Sequence, residues 1–186
     1  MIVNECIQYS DEKALHWMLQ AAKALKYLHK FQIERYAPID IKPSNMFLDE
    51  TYCTLKLCNF DQVYKTDDMY EKDDKNVYRS RIYLDPKQTF GEYTPKFDVY
   101  SWAISLIHCL TRKIPFKHYK YHFGIYQRKE FNLRDWDKIS RKDLIKWLIK
   151  NSINTKVFVR LSFDDIVEEI EKYLKNDSIP EVKIKN

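Results

Sequence analysis

Residues 38–45 read PIDIKPSN, and residues 58–61 read CNFD. The first stretch sets a carboxylate (Asp40), an ammonium (Lys42) and a carboxamide (Asn45) close together, with prolines that keep the chain out of regular structure. It has the look of a catalytic loop. The second has the look of a metal-binding loop, with Asn59 and Asp61 as oxygen donors. Each differs by a letter from what such a loop uses, which leaves open an enzyme or the remains of one. Other groupings carry less. His118 and His122 have the i, i+4 spacing of a metal pair, but no glutamate of an H-E-x-x-H helix and no thiolate pair accompanies them, so the spacing reads as coincidence. Cys6, Cys53, Cys58 and Cys109 form no C-x-x-C pair and no regular framework, which points to reduced thiols in a cytosolic protein. Average usage would give about 13 glycines. Only Gly91 and Gly124 occur, and no glycine-rich phosphate loop can be built from those two.

The chain has 186 residues, enough for one domain with a genuine core or a large piece of a larger one. Hydrophobic residues make up 45% and charged residues 32%, an ordinary globular mixture, and 14 tyrosines with 10 phenylalanines promise an aromatic core. The net charge of +5 is spread among acidic residues rather than massed, so a solvated surface is favoured over nucleic-acid binding. The N-terminus has no signal pattern. The longest apolar run, around residues 99–110, is too short for a bilayer, so a cytoplasmic protein with no membrane partner is expected.

These loops need elements to hold them. Ser10 followed by Asp11 and Glu12 makes a capped helix start, and Leu15, Met18, Leu19, Ala22, Leu25 and Leu28 recur at helical spacing to about Lys30. Residues 46–48 and 54–57 are short β-like runs around a polar turn, a small hairpin. Residues 61–81 are charged, tyrosine-rich and aperiodic, the pattern of a long exposed loop. Thr94-Pro95 opens a helix that is apolar on nearly every face and so belongs at the centre. A looser helix is expected over 118–131. Capped amphipathic helices follow Ser140 and Ser162, and a polar, frayed tail follows from residue 176.

The order of helix, Asp-x-Lys-Pro-x-Asn, hairpin, Asn-Phe-Asp, long loop and buried helix resembles the C-terminal lobe of a protein kinase. Asp40-Ile-Lys-Pro-Ser-Asn45 matches D-L-K-P-x-N, Asn59-Phe60-Asp61 stands where D-F-G belongs, and Asp85-Pro86-Lys87 stands where A-P-E belongs. Asp98-Val-Tyr-Ser-Trp-Ala103 matches the opening of the large central helix, and Arg160 the arginine before the final helix. Within the kinases the chain is most similar to the TGF-β-activated kinase family of MAP kinase kinase kinases. The resemblance covers about residues 10–175 and about two-thirds of a kinase domain. It implies a mainly α fold, a helical bundle with a small β-hairpin, lacking the N-terminal β lobe. The domain is set at residues 1–175 and a flexible tail at 176–186.

The resemblance also assigns roles. Asp40 matches the aspartate that orients the attacking hydroxyl, Lys42 the lysine that neutralises the transferred phosphate, and Asn45 the second metal ligand. Asn59 replaces the principal Mg²⁺-binding aspartate, so the formal charge that holds a hard cation is lost. Asp61, in the glycine position, stands two residues away and is not expected to take over. Pro38 and Ile39 replace His-Arg, which removes the cation that would pair with a phosphorylated loop; Tyr64, Thr66, Tyr70, Tyr78 and Ser80 remain phosphorylatable. Lys87 replaces the glutamate that pairs with the arginine matched by Arg160, so two cations would meet unless Asp85 turns in. Only nine residues precede Ser10, too few for a phosphate-binding lobe.

The expected function is therefore a catalytically impaired, pseudokinase-like interaction module with no cofactor. Its partners would be signalling proteins, including kinase-cascade components. The alternative is an active Ser/Thr protein kinase using Mg-ATP, with its N-lobe truncated from this sequence or supplied by a partner. Asp98 is expected buried at the start of the central helix, accepting backbone N–H groups from residues 38–40. Asp40 is expected half solvated, facing an empty cleft, and the cleft face is expected to expose apolar surface.

Overall fold

The computed structural model describes residues 7–31, 40–58, 82–87, 94–115, 142–175 and 182–184. The expectations for residues 38–39, 59–61, the long loop to residue 81, the helix over 118–131, His118 and His122, Ser140 and Cys6 lie outside the described residues. What is described is mainly helical: β1 (Ile7–Gln8), α1 (Asp11–Phe31), β2 (Met46–Leu48), β3 (Leu55–Leu57), α2 (Pro95–Thr111), α3 (Lys142–Ser152), α4 (Phe163–Leu174) and β4 (Lys183–Ile184).

Helix α2 is the hub. Every residue from Phe97 to Leu110 is buried, as an all-round apolar helix requires. Thr94 caps its start by accepting the Lys96 N–H, with Pro95 in the first turn. It ends at Arg112, a left-handed residue with φ 54°, whose N–H returns to the His108 carbonyl at 2.8 Å. Helices α1 and α3 pack on α2, and α4 packs on α1. Trp102 fills the α1–α2 seam with no exposure and donates its indole N–H to the Met18 carbonyl at 2.9 Å. Fully burying such a side chain is worth about 1.5–3 kcal/mol, and the N–H would oppose burial without that acceptor. Ser162 and Asp165 form a reciprocal capping box on α4, as the Ser-x-x-Asp spacing predicts.

Strands β2 and β3 pair antiparallel, Met46 opposite Leu57 and Leu48 opposite Leu55. The hairpin lies on α1: the Trp17 indole donates to the Tyr52 carbonyl at 2.9 Å, and the Gln20 carboxamide bonds both the Cys53 carbonyl and the Leu55 N–H at 2.8 Å. Of the tail set at 176–186, residues 182–184 are described. Lys183 and Ile184 pair antiparallel with Gln8 and Ile7, because backbone groups at a free strand edge are satisfied by a second short strand. No helix among the described residues is long and apolar enough to cross a membrane.

Candidate functional site

The loop entering the hairpin carries the predicted chemistry. Pro43–Asn45 form a single 3₁₀ turn closed by the Asn45 N–H on the Lys42 carbonyl at 2.9 Å. Two anchors fix it. Ser105 of α2 donates its hydroxyl to the Ile41 carbonyl at 3.2 Å, and the Cys58 N–H reaches the Asn45 carbonyl at 3.0 Å. The turn brings Asp40, Lys42 and Asn45 together. Lys42 Nζ ion-pairs with Asp40 Oδ2, and Asn45 Nδ2 donates to the Asp40 carbonyl at 2.7 Å and to Oδ2 at 3.0 Å.

Asp40 is only 4% exposed, which corrects the expectation of a half-solvated carboxylate. The physical reason is local. An ammonium and an amide two and five residues downstream fold back over it, and a buried carboxylate tolerates the loss of water when its oxygens are occupied.

Beneath the loop lie two residues that the sequence pattern did not single out. Tyr83 and His108 are buried and share a hydrogen bond of 2.6 Å. Burial lowers the His108 pKa to about 4, so its ring is neutral at physiological pH. Burial also raises the Tyr83 phenol, with Cys109 and Asp40 adding to the effect.

The remaining acids act on the frame. Asp98 is fully buried at the start of α2, as expected, and its Oδ2 meets His29 Nε2 at 2.8 Å. His29 was missed. At the end of α1 it looks like one more cation at a helix C-terminus. Asp85 turns in to replace the missing glutamate: it ion-pairs with Arg160, and neither side chain has any exposure. Arg160 also donates to the Asn154 carbonyl at 2.8 Å and the Lys96 carbonyl at 3.0 Å, and covers the Tyr100 ring at 5.3 Å. Lys87, the cation expected to clash, donates its N–H to Asp85 Oδ1 at 2.9 Å and its ammonium to the Thr155 carbonyl at 2.5 Å. A groove of ≈ 560 Å³ among α1, α2 and α4 is a separate feature. Its Lys26 pairs with Asp164 at 2.7 Å, and its Lys96 donates to the Arg160 carbonyl at 2.7 Å.

The protein kinase domain model matches residues 1–170. The chain belongs to the protein kinase domain family. A putative mitogen-activated protein kinase kinase kinase 7-like protein of Drosophila melanogaster is 39% identical over 115 residues, 60% of this chain and 27% of that protein. Mitogen-activated protein kinase kinase kinase 7 is 36% identical in Drosophila melanogaster, over 59% of this chain and 16% of the relative. In Homo sapiens it is 32% identical, over 58% and 17%. The aligned stretch thus spans about a quarter or less of these relatives. In this kinase domain Asp40, Lys42 and Asn45 lie together, whereas Asn59 lies outside the described residues. Among the described residues no group of three or more His, Cys, Asp or Glu side chains could hold a metal ion.

Proposed function

We propose that this kinase domain serves as an impaired, pseudokinase-like interaction module whose partners are signalling proteins, including components of kinase cascades. The observation that carries the reading is the chemistry of the donor set. A hard dication beside a triphosphate is held by charged oxygens. The residues present offer the neutral amides of Asn45 and Asn59, while the Asp40 carboxylate is held by Lys42 and Asn45. These residues do not fit the ion. Mg-ATP is therefore expected to bind weakly. A ligand at 100 times its Kd stabilises a fold by about 2.7 kcal/mol. The expected result is no Mg²⁺-dependent rise in melting temperature at millimolar ATP, and such a rise at micromolar ATP would overturn the reading.

One observation favours an active Ser/Thr kinase instead: Asp40, Lys42 and Asn45 are assembled, with the lysine in contact with the carboxylate. Phosphate transfer to a protein substrate that disappears on Asp40→Ala would establish that alternative.

A further inference from the structure

Lys13, in the first turn of α1, is 2% exposed, and among the described residues no carboxylate lies within ion-pairing distance of its ammonium. Its Nζ stands 5.8 Å from the centre of the Trp17 ring and 3.9 Å from the sulfur of Cys53, a free thiol exposed on the β2–β3 turn. A buried ammonium without an anion is costly, and an indole face offsets only part of that cost. The ammonium donates to the Cys53 sulfur, so a buried positive charge faces the atom that would react. The thiol also has a place to direct its hydrogen, the Thr51 carbonyl 3.5 Å from Sγ.

The turn holds the sulfur in this position. Asp49 Oδ1 accepts the Cys53 N–H at 2.9 Å and the Thr54 N–H at 3.1 Å, and Gln20 of α1 binds the Cys53 carbonyl at 2.8 Å. Cys58, on the same hairpin, is equally a free exposed thiol, but among the described residues its sulfur meets a carbonyl, that of Lys56 at 4.0 Å. Among the described residues, the two cysteines share exposure and differ in the cation.

We propose that Cys53 is a modification site, a thiol primed by buried Lys13 for two-electron oxidation by a hydroperoxide. The sulfur attacks one peroxide oxygen, an S–O bond forms and the O–O bond breaks. The departing hydroxide takes the thiol proton, so that thiol and hydrogen peroxide give sulfenic acid and water. Sulfur is oxidised and peroxide reduced.

The test treats the full chain with substoichiometric hydrogen peroxide at neutral pH, traps sulfenic acid with a 1,3-dione, and quantifies each cysteine peptide by mass spectrometry. Iodoacetamide labelling rates run in parallel. Cys53 is expected to label about tenfold faster than Cys58 in both assays. Lys13→Met should bring Cys53 down to the Cys58 rate without changing Cys58, and Lys13→Arg should retain the difference. If Lys13→Met does not fold, as judged by circular dichroism, the comparison of wild type with Lys13→Arg and of Cys53 with Cys58 still decides. Equal rates at Cys53 and Cys58 in the wild type, or a Cys53 rate unmoved by a folded Lys13→Met, would overturn the proposal.

Discussion

Asp40 and Asp85 are both buried carboxylates paired with a basic side chain, and they differ in where the partner comes from. Asp40 is held by Lys42 and Asn45, its own neighbours on one turn. Asp85 is held by Arg160, 75 residues along the chain, and Asp98 by His29, 69 residues away. A local cluster organises a loop and leaves the rest of the fold indifferent. A long-range pair joins two elements that would otherwise separate. Both long-range pairs join separate elements, and Asp85 meets Arg160 where residue 87 is a lysine. Residue 59, matched by the resemblance to a metal-binding position, is a neutral asparagine.

The largest effect should come from Asp85→Ala. It strands the Arg160 guanidinium, which has no exposure, and breaking a buried pair from one side costs about 3–5 kcal/mol. Urea unfolding should show the midpoint falling steeply or the fold lost. Asp85→Glu, which keeps the charge one methylene longer, should recover part of it. A loss below about 1 kcal/mol for Asp85→Ala would remove the distinction between frame and loop.

Asp98→Ala should rank second. It takes the carboxylate from the buried start of α2 and leaves the His29 ring without its 2.8 Å partner, at about 1–3 kcal/mol. Asp98→Asn keeps the shape and should cost less. Equal losses for the two variants would mean that packing, not the carboxylate, is the requirement.

A pH titration sharpens the comparison at the point where loop and frame meet. His108 has a folded pKa of about 4, below its unfolded value of 6.5, because burial disfavours the imidazolium. Between these values the unfolded chain binds the proton and the folded one does not, so stability falls as pH drops from about 6.5 to about 4 and is flat above. The fall should be at most about 3 kcal/mol and should be absent in a folded His108→Gln variant. A wild-type stability independent of pH over this window would exclude the buried neutral ring.

Much of this frame was legible in the sequence because it is written in local signals. The Thr94-Pro95 start of α2 and the Ser162–Asp165 box of α4 are short patterns whose meaning is set by neighbouring backbone groups. The hairpin was also legible, although β3 begins at Leu55 rather than Thr54, because Asp49 captures the Thr54 N–H for the turn. Asp85 could be read as a substitute acid because it stands two residues from Lys87. What escaped the sequence depends on distant residues. Nothing near His29 reveals Asp98, nothing near Ile7 reveals Ile184, and nothing near Lys13 reveals that the hairpin turn will bury it against Cys53. The burial of Asp40 escaped for another reason: the motif shows which groups are present, but not that the turn folds them onto one another.

The smallest effect should belong to Asp40→Asn. The carboxamide keeps the size and hydrogen-bonding reach of the acid, so it can still bond one of its two neighbours. Asn45 retains the Asp40 carbonyl as an acceptor at 2.7 Å whatever the side chain becomes. Lys42 loses its anion, but its side chain is 15% exposed, so its ammonium can recover water. The loop is also pinned from outside the cluster by Ser105 on the Ile41 carbonyl. The cost should therefore lie within about 1 kcal/mol, well below that of Asp85→Ala. Asp40→Ala should cost somewhat more, about 1–2 kcal/mol, since it also opens a void beneath two polar groups. Measured by urea unfolding beside Asp85→Ala and Asp98→Ala, the series tests whether the carboxylate at the candidate chemical centre is also the one the fold can best do without. A loss of several kcal/mol for Asp40→Asn would place Asp40 among the frame residues and dissolve the division.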